Sequence, residues 1–173
     1  MKHIAPLSAL ALSVVLATAA VAAPPQAGGV IDRNGVRLLN TDRSVAFGET
    51  QAAVVAHATT VFGAPPTVSR QTNCRNGVFE TADWGKGLKL IFQDGKFVGW
   101  HADPSLPAGY TNRAGTVFGR PVGDIKAQNA GFMLSEAVRG WEFALDGVHG
   151  RTPHRGDTAT INELWAGASC RPR

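Results

Sequence analysis

The chain has 173 residues, 44% of them apolar and 17% charged, with 20 glycines and 10 prolines. That length supports one compact domain, and a charged share below the usual ~25% excludes a charged low-complexity tail or a coiled coil. The formal charge of +4 comes from basic residues scattered singly, which makes it a solubility feature and predicts no nucleic-acid partner.

Met1-Lys2-His3 is a short basic start, and Leu7 to Ala20 is an apolar run built mostly from Ala, Leu and Val. Ala20-Val21-Ala22 then offers the small-x-small site read by signal peptidase, so residues 1–22 are predicted to be a signal peptide cleaved near Ala22. The run is too short and too rich in Ala for a membrane span, which needs ~20 strongly apolar residues. No Cys lies beside the cleavage site, so no lipid anchor is expected. Losing Lys2 brings the charge to +3. The expected location is the periplasm or the medium.

Residues 23–45 read as a leader segment, flexible over Pro24 to Gly29, with a short extended stretch from Val30 to Leu39 broken by Asn34-Gly35. Gln51 to Phe62 reads as a helix. Thr50 is the N-cap, Val54, Val55, Ala58 and Phe62 recur at helical spacing, and Gly63 followed by Pro65-Pro66 stops it.

Gly87 to Gln93 and Lys96 to His101 flank Asp94-Gly95, a two-residue hairpin turn that requires positive φ. With a regular register, Phe92 faces Phe97, Leu90 faces Gly99 and Leu88 faces His101 on the core side. Gln93/Lys96, Ile91/Val98 and Lys89/Trp100 then fall on the outer side. A second hairpin follows, Gly140 to Leu145, Asp146-Gly147, and Val148 to Arg151. Its expected pairs are Leu145/Val148, Phe143/Gly150 and Trp141/Thr152 inside, with Ala144/His149 and Glu142/Arg151 outside.

Each hairpin starts on Gly, turns on Asp-Gly and sets a Gly opposite an apolar residue. Upstream, Phe118-Gly119 with Ile125 matches Phe47-Gly48 with Val54. The chain therefore reads as two degenerate copies of a helix followed by antiparallel strands, about 46–102 and about 116–170, within a single domain 46–173. Asp103 to Thr111 links them, and Thr160 to Gly167 is a last strand. The fold class is α+β, an antiparallel sheet with helices on one face. Cys74 and Cys170, 96 residues apart, are the only cysteines and are expected to form one disulfide in an oxidising compartment.

The stretch Gly87 to Trp100, with the closing Leu164-Trp165-Ala166-Gly167-Ala168-Ser169-Cys170, resembles a group of uncharacterised secreted bacterial proteins. The repeat scheme resembles the β-lactamase-inhibitor-protein-like domain shared with small outer-membrane assembly lipoproteins. That resemblance implies a binding module, some members inhibiting enzymes through the exposed sheet face and others scaffolding membrane assemblies.

The residues offer little catalytic chemistry. Ser44, Ser69, Ser105, Ser135 and Ser169 stand outside any Gly-x-Ser-x-Gly elbow, so no catalytic residue is assigned. His101-Ala102-Asp103 and the pair His149 and His154 are the only metal-type clusters, short of the three or four ligands a site needs, so no metal or cofactor is expected. Gly85-Lys86-Gly87 feeds a strand and not a helix, which argues against a phosphate loop. Trp84, Trp141 and Trp165 are expected in the core. What remains is the outer strip of Trp100, Ile91 and Val98 with Lys89 and Lys96, since Trp is a favoured interface anchor. The expected function is an exported, non-enzymatic binding module of the bacterial envelope that engages a protein partner through this outer face. The alternatives are an envelope hydrolase or metal-dependent enzyme using His101, Asp103 and His149, and a cell-wall carbohydrate binder using Trp100.

Overall fold

The computed structural model describes residues 28–116 and 118–170. The expected signal peptide and cleavage site lie outside the described residues. The elements in chain order are β1 (Gly29–Asp32), β2 (Gly35–Arg37), β3 (Ser44–Ala46), α1 (Gln51–Phe62), β4 (Thr67–Cys74), β5 (Gly77–Asp83), β6 (Leu88–Gln93), β7 (Lys96–Ala102) and β8 (Tyr110–Thr111). The second half adds α2 (Val122–Gln128), β9 (Ser135–Ala137), β10 (Gly140–Leu145), β11 (Val148–Thr152) and β12 (Glu163–Gly167). The class is α+β with a mostly sheet body.

Helix α1 spans the predicted residues. Gly63 at φ 78° gives it a left-handed stop, and Val54 and Ala58 are fully buried. The Thr50 side chain makes no cap bond; the first turn is held instead by the Gln51 N–H donating to Gly95 O at 2.8 Å. Helix α2 is only two turns, with Val122 and Ile125 buried.

Strands β4 to β7 form one meander and β9 to β12 a second. The two meet at their last strands, giving an eight-stranded sheet in the order β4-β5-β6-β7-β12-β11-β10-β9 with antiparallel neighbours. Each meander follows its own helix, but the two Asp-Gly hairpins expected to correspond do not: Asp94-Gly95 joins the third and fourth strands of the first meander, and Asp146-Gly147 joins the second and third strands of the second. Both Asp-Gly turns adopt the predicted positive φ, 50° at Asp94 and Asp146.

One face of this sheet carries the core. Leu88, Leu90, Phe92, Phe97, Phe143 and Leu164 point into it, and α1, α2 and a small second sheet cover it. That second sheet, in the order β3-β2-β1-β8, is built largely from the segment expected to be a leader. Ile31, Val36, Leu38 and Val45 are buried in the same core, so the part of residues 23–45 that the structure describes is an integral layer of the domain. The apolar residues of that segment are few, but each finds a place against the sheet, where burial stabilises by roughly 25 cal/mol per Å².

The second hairpin has the predicted register, Trp141 opposite Thr152, Phe143 opposite Gly150 and Leu145 opposite Val148. The first does not. Gln93/Lys96 and Phe92/Phe97 pair as expected, but the next pairs are Ile91/Gly99, Leu90/Trp100, Lys89/His101 and Leu88/Ala102. Val98 is an extra residue in β7, a bulge that flips every later side chain of that strand. Trp100 therefore points into the core, fully buried, and its indole N–H donates to Asp32 O at 2.8 Å. His101, expected on the core side, turns to the outer face.

The disulfide Cys74–Cys170 is formed, with Cα atoms 5.1 Å apart. Disulfides form and persist in oxidising, extracytoplasmic compartments. Among the described residues, no helix is long and apolar enough to cross a membrane.

Candidate functional site: the outer face of the sheet

Among the described residues no helix covers the face opposite the core, and its side chains follow from the strand parity. One cross-strand row runs Asp83, Lys89, His101, Trp165, His149 across β5, β6, β7, β12 and β11. The next runs Glu163, Arg151, Glu142 across β12, β11 and β10. Together they floor an open hollow of about 1030 Å³ that reaches from the β4–β5 turn to the β9–β10 turn.

The predicted strip of five residues is not a single surface. Lys89 and Ile91 do lie on the outer face. Trp100 lies on the opposite one because of the Val98 bulge, and Lys96 sits exposed beside the Asp94-Gly95 turn. Ile91 is 7% exposed and packs with Cys74 and Phe79, against which Val98, Ala168 and Cys170 also lie. This is a second, small core on the outer face. The disulfide holds the C-terminal segment over it, and Ala168 N donates to Val98 O at 2.8 Å. A Cβ at Gly99 would run into the carbonyl of Ala168, so the segment can pass this closely only over a glycine.

The rest of the face is polar and ordered by charge. Lys89 pairs with Asp83 at 3.3 Å. Arg151, with only 16% of its side chain exposed, reaches Glu142 through Nη2 at 2.7 Å and Nε at 3.1 Å, and Glu163 through Nη1. Glu163 also lies 3.8 Å from His101 Nε2. Burial holds the His101 pKa below its ordinary value of 6.5, with Lys89 acting in the same direction and Glu163 and Asp103 opposing. The His149 ring stacks on Trp165, centroids 5.6 Å apart, and the Arg151 guanidinium lies 5.4 Å from the same indole. Trp165, expected in the core, is thus the aromatic centre of the outer face.

The residues proposed for hydrolytic or metal chemistry do not converge. Asp103 turns into its own loop, accepting from Ser105 N at 2.9 Å and from the Ser105 hydroxyl, which holds its carboxyl below the usual range. His149 is engaged with Trp165, and His154 sits in the exposed loop after β11. Among the described residues, no three His, Cys, Asp or Glu side chains gather to hold a metal.

Sequence reasoning missed Trp165, Glu163 and Arg151 as site residues. The signal was present: Glu163-Leu164-Trp165-Ala166 alternates, and with Leu164 inward the Trp and Glu must face out. No family model, curated protein or solved structure matches this chain.

Proposed function

We propose that the chain is an exported, non-enzymatic binding module of the bacterial envelope that engages a protein partner through the outer face of its sheet. The observation that carries this reading is the uncovered hollow across the sheet, floored by Trp165, His149, Arg151 and Lys89 on rigid paired strands. An amphipathic aromatic flanked by charge-ordered side chains supplies contact area at small entropic cost, as interface centres do. The breadth of the hollow suits a macromolecule better than a small ligand, and the paired ions are positioned before any partner arrives. Export is supported by the basic start, apolar run and Ala20-Val21-Ala22 site, and by the disulfide.

The test is a crosslinking pull-down from an envelope fraction, with the disulfide-bonded protein as bait beside a Trp165→Ala/Lys89→Ala variant and an Arg70→Ala control on the β4 edge. The reading expects one protein captured by wild type and control and lost by the outer-face variant. Capture that is indifferent to Trp165 and Lys89, or retention on purified peptidoglycan with no protein partner, overturns it.

A further inference from the structure

Four basic side chains line the hollow, and they divide into two kinds. Lys89 and Arg151 stand in the middle of the sheet and are answered by Asp83, Glu142 and Glu163. Arg75, in the turn between β4 and β5, and Arg139, in the turn between β9 and β10, are exposed and line the same hollow. Neither guanidinium has a hydrogen bond, ion pair or ring contact among the described residues.

Their placement follows from the strand order. The β4–β5 and β9–β10 turns each join the first two strands of a meander, and because the meanders meet at their last strands these turns fall at diagonally opposite corners of the face. About six strand spacings of ~4.8 Å separate them across the strands, and along the strands Arg75 stands eight residues to one side of the Asp83–Ala144 row and Arg139 five to the other, so the diagonal measured along the sheet is roughly 50 Å. The face thus offers an unanswered positive charge at each end and a compensated, aromatic middle.

We infer that the occupant of the hollow is a segment of a partner protein that carries acidic side chains at two separated points, one meeting Arg75 and the other Arg139, with uncharged residues over Trp165 and His149 between them. This deepens the proposed function and rests on it. Guanidinium groups favour carboxylates through paired, charge-assisted hydrogen bonds. A uniform polyanion fits less well: crossing from one arginine to the other, its central charges would pass over Glu142 and Glu163. Mixed-sign complementarity of this kind is what protein surfaces present to each other.

The probe is a labelled 20-residue peptide with an Asp-Glu pair near each end, the pairs separated by twelve Gly, Ser and Tyr residues, which sets the pair centres about 48 Å apart when extended. Its binding to the full disulfide-bonded protein is measured by fluorescence anisotropy at low and moderate salt, beside a peptide with Lys at the same four positions and beside polyphosphate. The expected result is binding by the acidic peptide only, weakened by salt and at least tenfold weaker to Arg75→Glu/Arg139→Glu. Both substitutions are in exposed turns, and an unchanged unfolding midpoint checks that the fold survives. No binding of the acidic peptide, binding unaffected by the double charge reversal, or tighter binding of polyphosphate overturns the inference. The envelope pull-down separates this from the underlying reading. A partner lost on Trp165→Ala/Lys89→Ala but kept by Arg75→Glu/Arg139→Glu preserves the protein-binding face and removes only its acidic occupant.

Discussion

Leu90 sits directly across from Trp100 on the neighbouring strand, and both side chains are buried on the helix-covered face. The indole also reaches Asp32 O, so one residue ties the large sheet to the small one. Trp100→Ala is expected to destabilise the fold by about 3–5 kcal/mol, the range for emptying a large aromatic site. Trp100→Phe keeps most of the volume and loses the hydrogen bond, so it should cost less. Urea denaturation measures both; a Trp100→Ala cost under ~1 kcal/mol would place this side chain at the surface and remove the bulge.

The disulfide closes a 96-residue span and pins the C-terminal segment over Phe79 and Ile91. Cys74→Ala/Cys170→Ala should lower stability by about 2–5 kcal/mol. Because the lost cover exposes a local apolar cluster, binding of a hydrophobic dye should rise under conditions where the sheet remains folded. Far-UV circular dichroism with dye fluorescence follows the two together, and a stability loss without any rise in dye binding would separate the disulfide from that cover.

Gly167 has φ 79°, and a Cβ there would run into Val98 O. Gly167→Ala is therefore expected to cost more than about 1 kcal/mol, whereas the same change at Gly131, which has open space around it, should stay near neutral. Thermal unfolding of the two variants compares them directly.

His101 gives the outer face a pH dependence. Its folded-state pKa lies below 6.5, chiefly through burial, with Lys89 adding and Glu163 and Asp103 opposing. The unfolded chain therefore takes up this proton first as the pH falls. Stability from His101 is fully present above about 6.5 and is lost as the pH drops below that value toward the folded pKa. His57, also depressed mainly by burial, acts with the same sign and remains in the variant. His101→Gln should flatten part of the fall in unfolding midpoint between pH 7.5 and 5; an identical slope in variant and wild type would show that this side chain is not the source.

The elements with strong local patterns were legible from residues alone: α1 between Thr50 and Gly63, both Asp-Gly hairpins and the cysteine pair. Strand β4 escaped because Thr67–Cys74 is polar and exposed over nearly its whole length, an edge with no alternation to read. The extended stretch broken at Asn34-Gly35 was read where β1 and β2 lie, but segments of three or four residues carry too short a period to reveal a buried face, and the three-residue β3 escaped altogether. The error at the site came from one residue. Phe97 and Trp100 are an odd number of positions apart, so they can share a face only if the strand holds an extra residue, and Val98 supplies it. Lys89 and Ile91 precede the irregularity and were placed correctly, while Trp100 and His101 follow it and exchanged faces. The charged pairs of β10, β11 and β12 required the order of strands around the seam, which no single hairpin contains.

The Cys74–Cys170 bond also decides what a broken backbone would look like. The exposed loop Pro104–Gly109 joins the two halves between the bonded cysteines. A protease that nicks the chain there produces two fragments that stay on one covalent molecule, migrating at full mass until a reductant is added. Under native conditions the β7–β12 seam would hold them further, four residue pairs stitching the pieces edge to edge. Nicked protein would thus pass as intact in an oxidising compartment, its sheet still continuous.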